Sequence, residues 1–321
     1  MRMVLFLFVF AGIAAFGCSN NSTATGDGNS SSSGNNVYSS SSSGAGGNPG
    51  TGSSSSSISI PAGDYATLTQ GQQGVKSGYG TRYWDGCKPS CSWPENVSNI
   101  SNICRNCDVN NQTTPAYTYR QDWGQNAGVP SSCDNGGSTY TCFDMAPVKV
   151  NDNLAYGYVA TAGAEGNVCG KCFQLQFDGK GKYDTKPSHA LLNGKTMVVM
   201  ASNIGYDVGS GHFDILIPGG GLGNFDSFSN QLGVTANDLG VRSGGFLSTC
   251  QQSLGWDAAP AQYKSCVLQK CTAVFGGNSK FADLLRGCEW FADWFEAADN
   301  PTFLYKEVEC PQYLKDKYKH N

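Results

Sequence analysis

Fourteen cysteines are spread over the 321-residue chain, and they restrict its fold more than any other feature of the sequence. So many cysteines are typical of proteins that fold outside the cytosol, where thiols pair and cross-link loops. Charged residues make up only 14% and glycines number 42, a composition that favours a loop-rich β protein over a helical one. The net charge of −4 gives no reason to expect nucleic acid as a partner.

The first sixty residues predict a leader and a linker. Arg2 precedes an apolar run over residues 3–16, which predicts a signal peptide over residues 1–17, too short to span a membrane. The residues before Cys18 resemble a bacterial lipoprotein cleavage box, so Cys18 is predicted to be lipidated; ordinary cleavage nearby is the alternative. Residues 18–60 are almost entirely Ser, Gly, Asn and Thr and predict a flexible linker. We expect a secreted or cell-surface protein (an outer-membrane lipoprotein if lipidated), attached to a membrane only through Cys18.

Residues 61–321 predict one folded domain that is mostly β. The runs Cys172–Phe177, 195–200 and His212–Ile217 have the apolar patterns of strands, and Gly-rich turns separate such runs. One amphipathic helix is predicted near the end, before the stop at Asp299-Asn300-Pro301. Its apolar residues are Phe281, Leu284, Leu285, Cys288, Phe291, Trp294, Phe295 and Ala298.

The first candidate functional stretch places Asp85 between two aromatic residues, Tyr83 and Trp84, and the Cys87-x-x-x-Cys91 pair. Disulfides here would hold the carboxylate still, as a catalytic acid or base requires, because small displacements cost large factors in rate. The alternative is a turn aspartate in a cysteine-rich loop, and this stretch alone does not decide between them. Trp84 is predicted to be a core residue.

The second candidate stretch contains Asp214, on a predicted strand that follows a glycine-containing loop with Asp207. On a strand, His212 and Asp214 share one face, while Phe213 and Ile215 point the other way. These hydrophobic flanks partly desolvate the Asp214 carboxyl and raise its pKa, and a nearby Asp207 charge would raise that pKa further. The alternative is a strand-end aspartate that faces solvent.

Two motifs carry a resemblance to a known family. The first is Thr81-Arg-Tyr-Trp-Asp-x-Cys-Lys-Pro-Ser-Cys-x-Trp93, and the second is His212-Phe-Asp-x-x-Ile-Pro-Gly-Gly-Gly. Together they resemble glycoside hydrolase family 45, the inverting endo-β-1,4-glucanases, or cellulases, that cut cellulose. The likeness continues in the same order through three further segments, Glu165–Phe173, Gly287–Pro301 and Glu307–Pro311.

The resemblance implies a fold and a mechanism. The fold is a six-stranded double-psi β-barrel with an open cleft, long disulfide-bonded loops and a few helices. Asp214 corresponds to the general acid and Asp85 to the general base. Asp207 corresponds to an assisting acid on a mobile loop, and Tyr83 to an aromatic residue at the cleaved sugar. Inversion requires two carboxyls roughly 6.5–9.5 Å apart, so that water fits between them and the sugar.

The resemblance also implies the substrate and its contacts. We expect a monomer that acts on cellulose or another β-glucan and that requires no cofactor and no metal, because both acids act directly on sugar and water. The predicted substrate contacts within the two motifs are Thr81, Lys88, Trp93 and His212.

Disulfide pairs follow from the family resemblance, and some remain open. The implied pairs are Cys87–Cys133, Cys91–Cys169 and Cys172–Cys310, with Cys142 bonded to either Cys104 or Cys107. The partners of Cys250, Cys266, Cys271 and Cys288 are left open. With Cys18 set aside, thirteen cysteines remain, so at least one is free or bonded between molecules.

One expected bridge is missing from the chain. Many family members have Cys-Cys after the first acid, where this chain has Gly86-Cys87. The partner cysteine is also absent, because Ser227-Phe228 stands at its place. Both halves of the bridge are therefore absent together, which is expected of a folded, functional relative.

Three other functions compete with hydrolysis. An expansin-like, non-hydrolytic protein would keep an acid like Asp214, but it would lack Asp85. A glycan-binding surface protein could use the same aromatic residues for stacking. A zinc site could use Cys104-x-x-Cys107 and Cys169-x-x-Cys172, although a secreted context favours disulfides at these cysteines.

Overall fold

The computed structural model describes residues 60–162 and 167–320. The predicted signal peptide, the lipidation site at Cys18 and all but the last residue of the predicted linker lie outside these residues. Within the described residues, no helix is both long and apolar enough to cross a membrane.

Strands predominate up to residue 216 of the described chain, and most of the α-helices follow. The strands are β1 Lys76–Tyr83, β2 Asn106–Cys107, β3 Thr113–Thr114, β4 Tyr117–Arg120, β5 Gln125–Gly128, β6 Val148–Asn151, β7 Leu154–Ala162, β8 Cys172–Gly181, β9 Thr196–Gly205, β10 His212–Leu216 and β11 Pro301–Val308. The α-helices are α1 Pro187–Ala190, α2 Phe228–Leu232, α3 Gly245–Leu254, α4 Pro260–Phe275, α5 Ala282–Asp293 and α6 Gln312–Tyr318. Short 3₁₀ turns span Ser90–Ser92, Pro94–Asn96, Ile100–Asn102, Phe143–Met145, Ala236–Leu239 and Ser279–Phe281.

Seven strands form one sheet, in the order β10-β1-β11-β8-β9-β7-β6. The β1–β10 and β7–β9 pairs are parallel, and the other pairs in this order are antiparallel. Strand β10 also pairs with β7, where Asp214 lies opposite Ala160 and Ile215 opposite Val159. Strands β2–β3 and β4–β5 form two separate hairpins. The fold is thus mostly β with a few helices, as the composition predicts.

The core of the sheet is aromatic. Phe213 of β10 contacts Tyr305 and Phe303 of β11, with ring centroids 4.8 and 5.6 Å apart. Phe177 of β8 contacts Phe303 edge to face at 5.7 Å. Such pairs contribute about 0.5–1.5 kcal/mol each beyond the area that they bury. The face of β10 opposite Asp214 is therefore packed against the neighbouring strands.

The predicted C-terminal helix is present but ends early. Helix α5 ends at Asp293, because Glu296 and Ala297 adopt left-handed backbone conformations with φ of 59° and 48°. Trp294, Phe295 and Ala298 are nevertheless buried, as their apolar spacing suggests. The hydrophobic pattern thus identifies the buried residues correctly, but it places the end of the helix about one turn too late.

Six disulfides cross-link the described residues. They include the three pairs that the resemblance implies, Cys87–Cys133, Cys91–Cys169 and Cys172–Cys310. Of the two partners considered for Cys142, the structure has Cys107. The pairs left open are Cys250–Cys266 and Cys271–Cys288, which join α3 to α4 and α4 to α5. Within the described residues, Cys104 is the cysteine without a disulfide, and it is fully buried.

We predict that the Cys104 thiol is hidden in the folded protein and is released on unfolding. Burial raises the pKa of this thiol to about 12, so that little reactive thiolate is present near neutral pH. A thiol reagent should therefore titrate one more thiol in denaturant than in buffer, and Cys104→Ser should abolish this difference. Equal counts for the wild type and the variant in denaturant would show that Cys104 is oxidised.

Candidate active site

The parallel pairing of β1 with β10 brings the two candidate acids together. Thr81 lies opposite Asp214 in this pairing, and Asp85 follows two residues after the end of β1. Both carboxyls line one pocket of about 290 Å³. The other lining residues are Tyr83, Ala160, Asn203, Ile204, Gly205, Tyr206, Asp207, Val208, Leu222, Gly223, Asn224 and Phe225.

Asp85 is held by backbone hydrogen bonds at both its side chain and its carbonyl. Its carboxylate accepts from the N–H of Cys87 at 2.9 Å. Its carbonyl accepts from the N–H groups of Ser227 and Phe228 at 2.9 and 2.8 Å. Burial raises the pKa of the Asp85 carboxyl to about 6, against the lowering effect of the Cys87 N–H; the charge of Asp226 raises it further.

Gly86 and Phe228 pack closely at the position where many family members have a disulfide. Gly86 has a φ of 80°, and a Cβ at this position would lie 2.8 Å from the backbone of Phe228. The ring of Phe228 packs beside Trp84, with centroids 5.7 Å apart, and Trp84 is buried as predicted. The two segments that a disulfide would join therefore touch without one.

Asp214 has the more strongly raised pKa of the two acids. Burial raises the pKa of its carboxyl to about 7, and the charges of Asp207 and Asp85 contribute in the same direction. Thr81 lowers this pKa, because its hydroxyl donates a hydrogen bond of 2.6 Å to the carboxylate. The sequence-based expectation for Asp214 thus agrees in direction and in cause, with burial as the largest effect.

Thr81 and His212 form a short chain of hydrogen bonds beside Asp214. The Thr81 hydroxyl oxygen lies 2.6 Å from Nε2 of His212. Since the hydroxyl has one proton, its donation to Asp214 requires His212 to donate from Nε2. The imidazole stacks on Tyr79 with centroids 4.4 Å apart, and burial lowers its pKa. Thr81 contacts Asp214 directly, His212 does so only through Thr81, and neither lines the pocket, so their contact with substrate stays a prediction.

Tyr83 lies two residues before Asp85 and is fixed by Asn203, a residue that the sequence analysis did not identify. The side-chain amide of Asn203 donates to Tyr83 Oη at 3.0 Å, and its oxygen accepts from the N–H of Ser90 at 2.8 Å. Burial and the charges of Asp85 and Asp214 raise the pKa of the Tyr83 phenol, which therefore stays protonated. No motif in the sequence marks Asn203, since its side-chain partners are more than a hundred residues away in the chain.

Exposed groups stand at the mouth of the pocket. Asp207 lies in the loop between β9 and β10 and is exposed. Tyr206 and Phe225 also line the pocket and are 99% and 59% exposed, although neither was predicted. Solvent-facing aromatic rings beside paired acids provide flat apolar surfaces next to the reactive groups.

Two predicted substrate contacts lie elsewhere. Lys88 is only 4% exposed, does not line the pocket of the acids, and its ammonium donates to the carbonyls of Ala116 and Val129; its contact with substrate stays a prediction. Trp93 is half-buried, does not line the pocket of the acids, and packs against Gly128. Both residues belong to the first motif, but their side chains contact the β4–β5 hairpin and the residues next to it, and the sequence analysis did not predict this hairpin.

The disulfides exclude the proposed four-cysteine zinc site in this structure. Cys107, Cys169 and Cys172 are each bonded to another cysteine, which leaves one thiol of the four. Within the described residues, no group of three or more His, Cys, Asp or Glu side chains has the arrangement of a metal site.

Two carboxyls in one pocket with separated pKa values can divide the tasks of an acid and a base. Between the values of about 6 and about 7, Asp85 is largely ionised while Asp214 is largely protonated. Burial is the largest cause of the raised pKa in both carboxyls; backbone N–H groups and Asp226 then act in opposite directions on Asp85, and Thr81 opposes the charges of Asp207 and Asp85 at Asp214. The arrangement suits a reaction in which one group gives a proton and the other takes one.

Comparisons with known proteins agree with these features. The sequence profile of Glycosyl hydrolase family 45 matches residues 77–319. Endoglucanase B of Cellvibrio japonicus is 51% identical over 240 residues, which cover 74% of this chain and 44% of that protein. A putative endoglucanase type K of Fusarium oxysporum is 35% identical over 243 residues, covering 75% and 52%. The chain thus spans about half the length of these two relatives.

A solved structure resembles the fold as well. The crystal structure of a cellulase from the Antarctic springtail Cryptopygus antarcticus superimposes with a TM-score of 0.56 at 31% identity. The match covers 76% of this chain and 96% of the springtail chain.

We predict that Thr81 sets the pKa of Asp214. Thr81→Val removes the hydroxyl that stabilises the ionised carboxylate, so the pKa of Asp214 should rise by roughly 1 to 2. Thr81→Ser, which keeps the hydroxyl, should leave it nearly unchanged. NMR titration of labelled aspartate carboxyls measures both. A pKa that is the same in all three proteins would rule out control by this hydrogen bond.

Proposed function

The chain belongs to glycosyl hydrolase family 45, and on this basis we propose that it cuts internal β-1,4-glucosidic bonds of cellulose and related β-glucans with inversion. The observation that carries the proposal is the pair Asp85 and Asp214, which share one pocket and have pKa values of about 6 and about 7. The names of the relatives, several of them endoglucanases, support the same substrate class.

In the proposed mechanism, Asp214 gives its proton to the leaving glycosidic oxygen, and Asp85 takes a proton from the attacking water. Asp85 is four residues beyond Thr81, at most about 14 Å along the chain, and the spacing between the paired strands adds about 5 Å to reach the backbone of Asp214. Side chains that both turn into the pocket shorten this distance. The spacing is compatible with the roughly 6.5–9.5 Å between carboxyls that inverting enzymes use.

The groups around the acids have supporting roles in this proposal. Tyr83, held by Asn203, faces the cleaved sugar, and Asp207 keeps the pKa of Asp214 high by its charge. Both acids act directly on sugar and water, so the proposed mechanism includes no cofactor and no metal.

We propose that six strands close into a double-psi β-barrel beneath the cleft. Strand β10 pairs with β1 on one side and with β7 on the other, and the pairings β1–β11, β11–β8, β8–β9 and β9–β7 complete the ring. This closure would hold Asp214 at a strand with partners on both edges, which limits its movement relative to Asp85.

We further propose that the protein acts as a monomer outside the cytosol, either secreted or at the cell surface. Six disulfides among the described residues support an oxidising compartment. Signal-peptide cleavage and lipidation of Cys18 remain part of this proposal, and mass spectrometry of the mature N-terminus tests them.

We predict that Asp214→Asn and Asp85→Asn each lower the release of reducing ends from soluble cellulose by about 10²–10⁴-fold. Each variant removes one proton-transfer group and keeps nearly the same shape. The matched control is Asp257→Asn, since the Asp257 side chain is 93% exposed and lies outside the pocket. In early hydrolysis by the wild type, NMR should detect the α-anomer first, because inversion of a β-linkage gives the α-product.

Other outcomes would change the assignment. Full activity in Asp85→Asn would remove Asp85 as the base. A wild-type protein that binds cellulose without releasing reducing ends would favour the expansin-like or glycan-binding alternative.

We predict a bell-shaped pH dependence of kcat/KM, with a maximum between about 6 and about 7. The rate falls as pH decreases because Asp85 becomes protonated, and it falls as pH increases because Asp214 ionises. Asp226→Asn removes a charge that raises the pKa of Asp85, so it should shift the acid limb to lower pH and leave the alkaline limb in place. A profile that stays flat from about pH 5 to about pH 8 would contradict these assignments.

A further inference from the structure

The β4–β5 hairpin exposes two large aromatic side chains, Tyr119 and Trp123, and Trp123 lines a cavity beside the hairpin. Tyr119 and Trp123 are 64% and 60% exposed. The cavity has a volume of about 880 Å³, compared with about 290 Å³ for the pocket of the acids. Its lining residues include Trp93, Arg120, Trp123, Gln125, Asn126 and Gly128. Exposed aromatic residues next to a cavity are often binding surfaces.

The hairpin is anchored to the same segment that contains Asp85. The buried ammonium of Lys88 donates to the carbonyls of Ala116 at 2.7 Å and Val129 at 2.8 Å, which lie just before β4 and just after β5. The ring of Trp93 packs so closely on Gly128 that a Cβ there would lie 2.2 Å from it. Lys88 thus clamps both ends of the hairpin, so its aromatic residues are presented on a fixed base.

The chemistry of the cavity suits a neutral, hydroxyl-rich ligand. The guanidinium of Arg120 lies 4.6 Å from the centroid of the Trp123 ring and pairs with Asp122 at 2.6 Å, so its charge is locally balanced. The amides of Gln125 and Asn126 supply both donors and acceptors. Aromatic rings combined with a few polar groups match the apolar C–H face and hydroxyl edge of a pyranose ring better than an anion or a lipid chain.

The hairpin cavity is close to the pocket of the acids along the backbone. The N–H of Ser90 donates to Asn203, which lines the pocket of the acids. Trp93, which lines the hairpin cavity, follows three residues later, a separation of at most about 11 Å. A linear polysaccharide bound at the acids is long enough to reach the hairpin.

We propose that the β4–β5 hairpin is a second glucan-binding site, where Trp123 stacks on a sugar unit of the β-glucan chain that is cut at Asp85 and Asp214. This inference rests on the proposed function. The hairpin site favours long chains, because a short oligosaccharide can fill the pocket of the acids without reaching the hairpin.

The test compares a neutral polymer, hydroxyethylcellulose, with a short substrate, cellotetraose. In Trp123→Ala, the ratio of KM for the polymer to KM for cellotetraose should rise about three- to tenfold, with kcat on the polymer within about twofold of wild type. Trp123→Phe, which keeps a flat ring, should return the ratio of the two KM values close to that of the wild type. The matched control is Trp256→Ala, since Trp256 is also 60% exposed but lies between α3 and α4.

A binding measurement separates this inference from the proposed function. Electrophoresis of the full chain through a gel containing hydroxyethylcellulose reports binding even if the protein cuts neither substrate. Weaker retardation of Trp123→Ala than of Trp256→Ala supports the hairpin site. Equal retardation of the two variants, or an equal change of KM for both substrates in Trp123→Ala, would overturn the hairpin site. A loss of self-association in Trp123→Ala would also overturn it and would indicate a contact between two copies of the chain.

Discussion

The parallel pairing of β1 with β10 is the interaction on which the rest of the site depends. It sets Thr81 opposite Asp214 and directs the chain beyond Tyr83 so that Asp85 reaches the same pocket. The pairing also explains the difference in pKa between the acids. Asp214 lies on a strand with partners at both edges, where desolvation and two aspartate charges act together. Asp85 lies just beyond a strand, where backbone N–H groups are free to donate to it.

Local sequence patterns predicted those strands whose side chains alternate between a buried and a more polar face. Strand β10 alternates between a packed and a polar face, and the sequence shows this. Strand β7 was not predicted, because all nine of its residues are buried and no alternation marks it. Helix α5 was predicted to continue through Ala298, since the apolar spacing persists after the backbone has left the helix. Periodicity thus reports burial more reliably than it reports backbone conformation.

The acids themselves could be predicted, but their surroundings depend on contacts between distant segments. Asp85 and Asp214 stand within motifs that the family resemblance identifies, and both line the pocket. Lys88 belongs to the same motif, yet its ammonium is used by a hairpin whose strands carry little hydrophobic pattern. Asn203 joins Tyr83 to the segment after Asp85 through contacts more than a hundred residues apart in sequence. Such long-range partners leave no local signal.

The absent bridge shows how the loop that contains Asp85 can keep its shape without one cross-link. Gly86 allows the chain to approach Phe228 more closely than any side chain would permit, and this approach lets two N–H groups reach the Asp85 carbonyl. The neighbouring Cys87–Cys133 disulfide still limits how far the loop can move in the unfolded chain. The position of Asp85 therefore depends on hydrogen bonds and packing from the segment at Ser227 and Phe228. Because these contacts are noncovalent, the order of that segment controls the geometry of Asp85 directly.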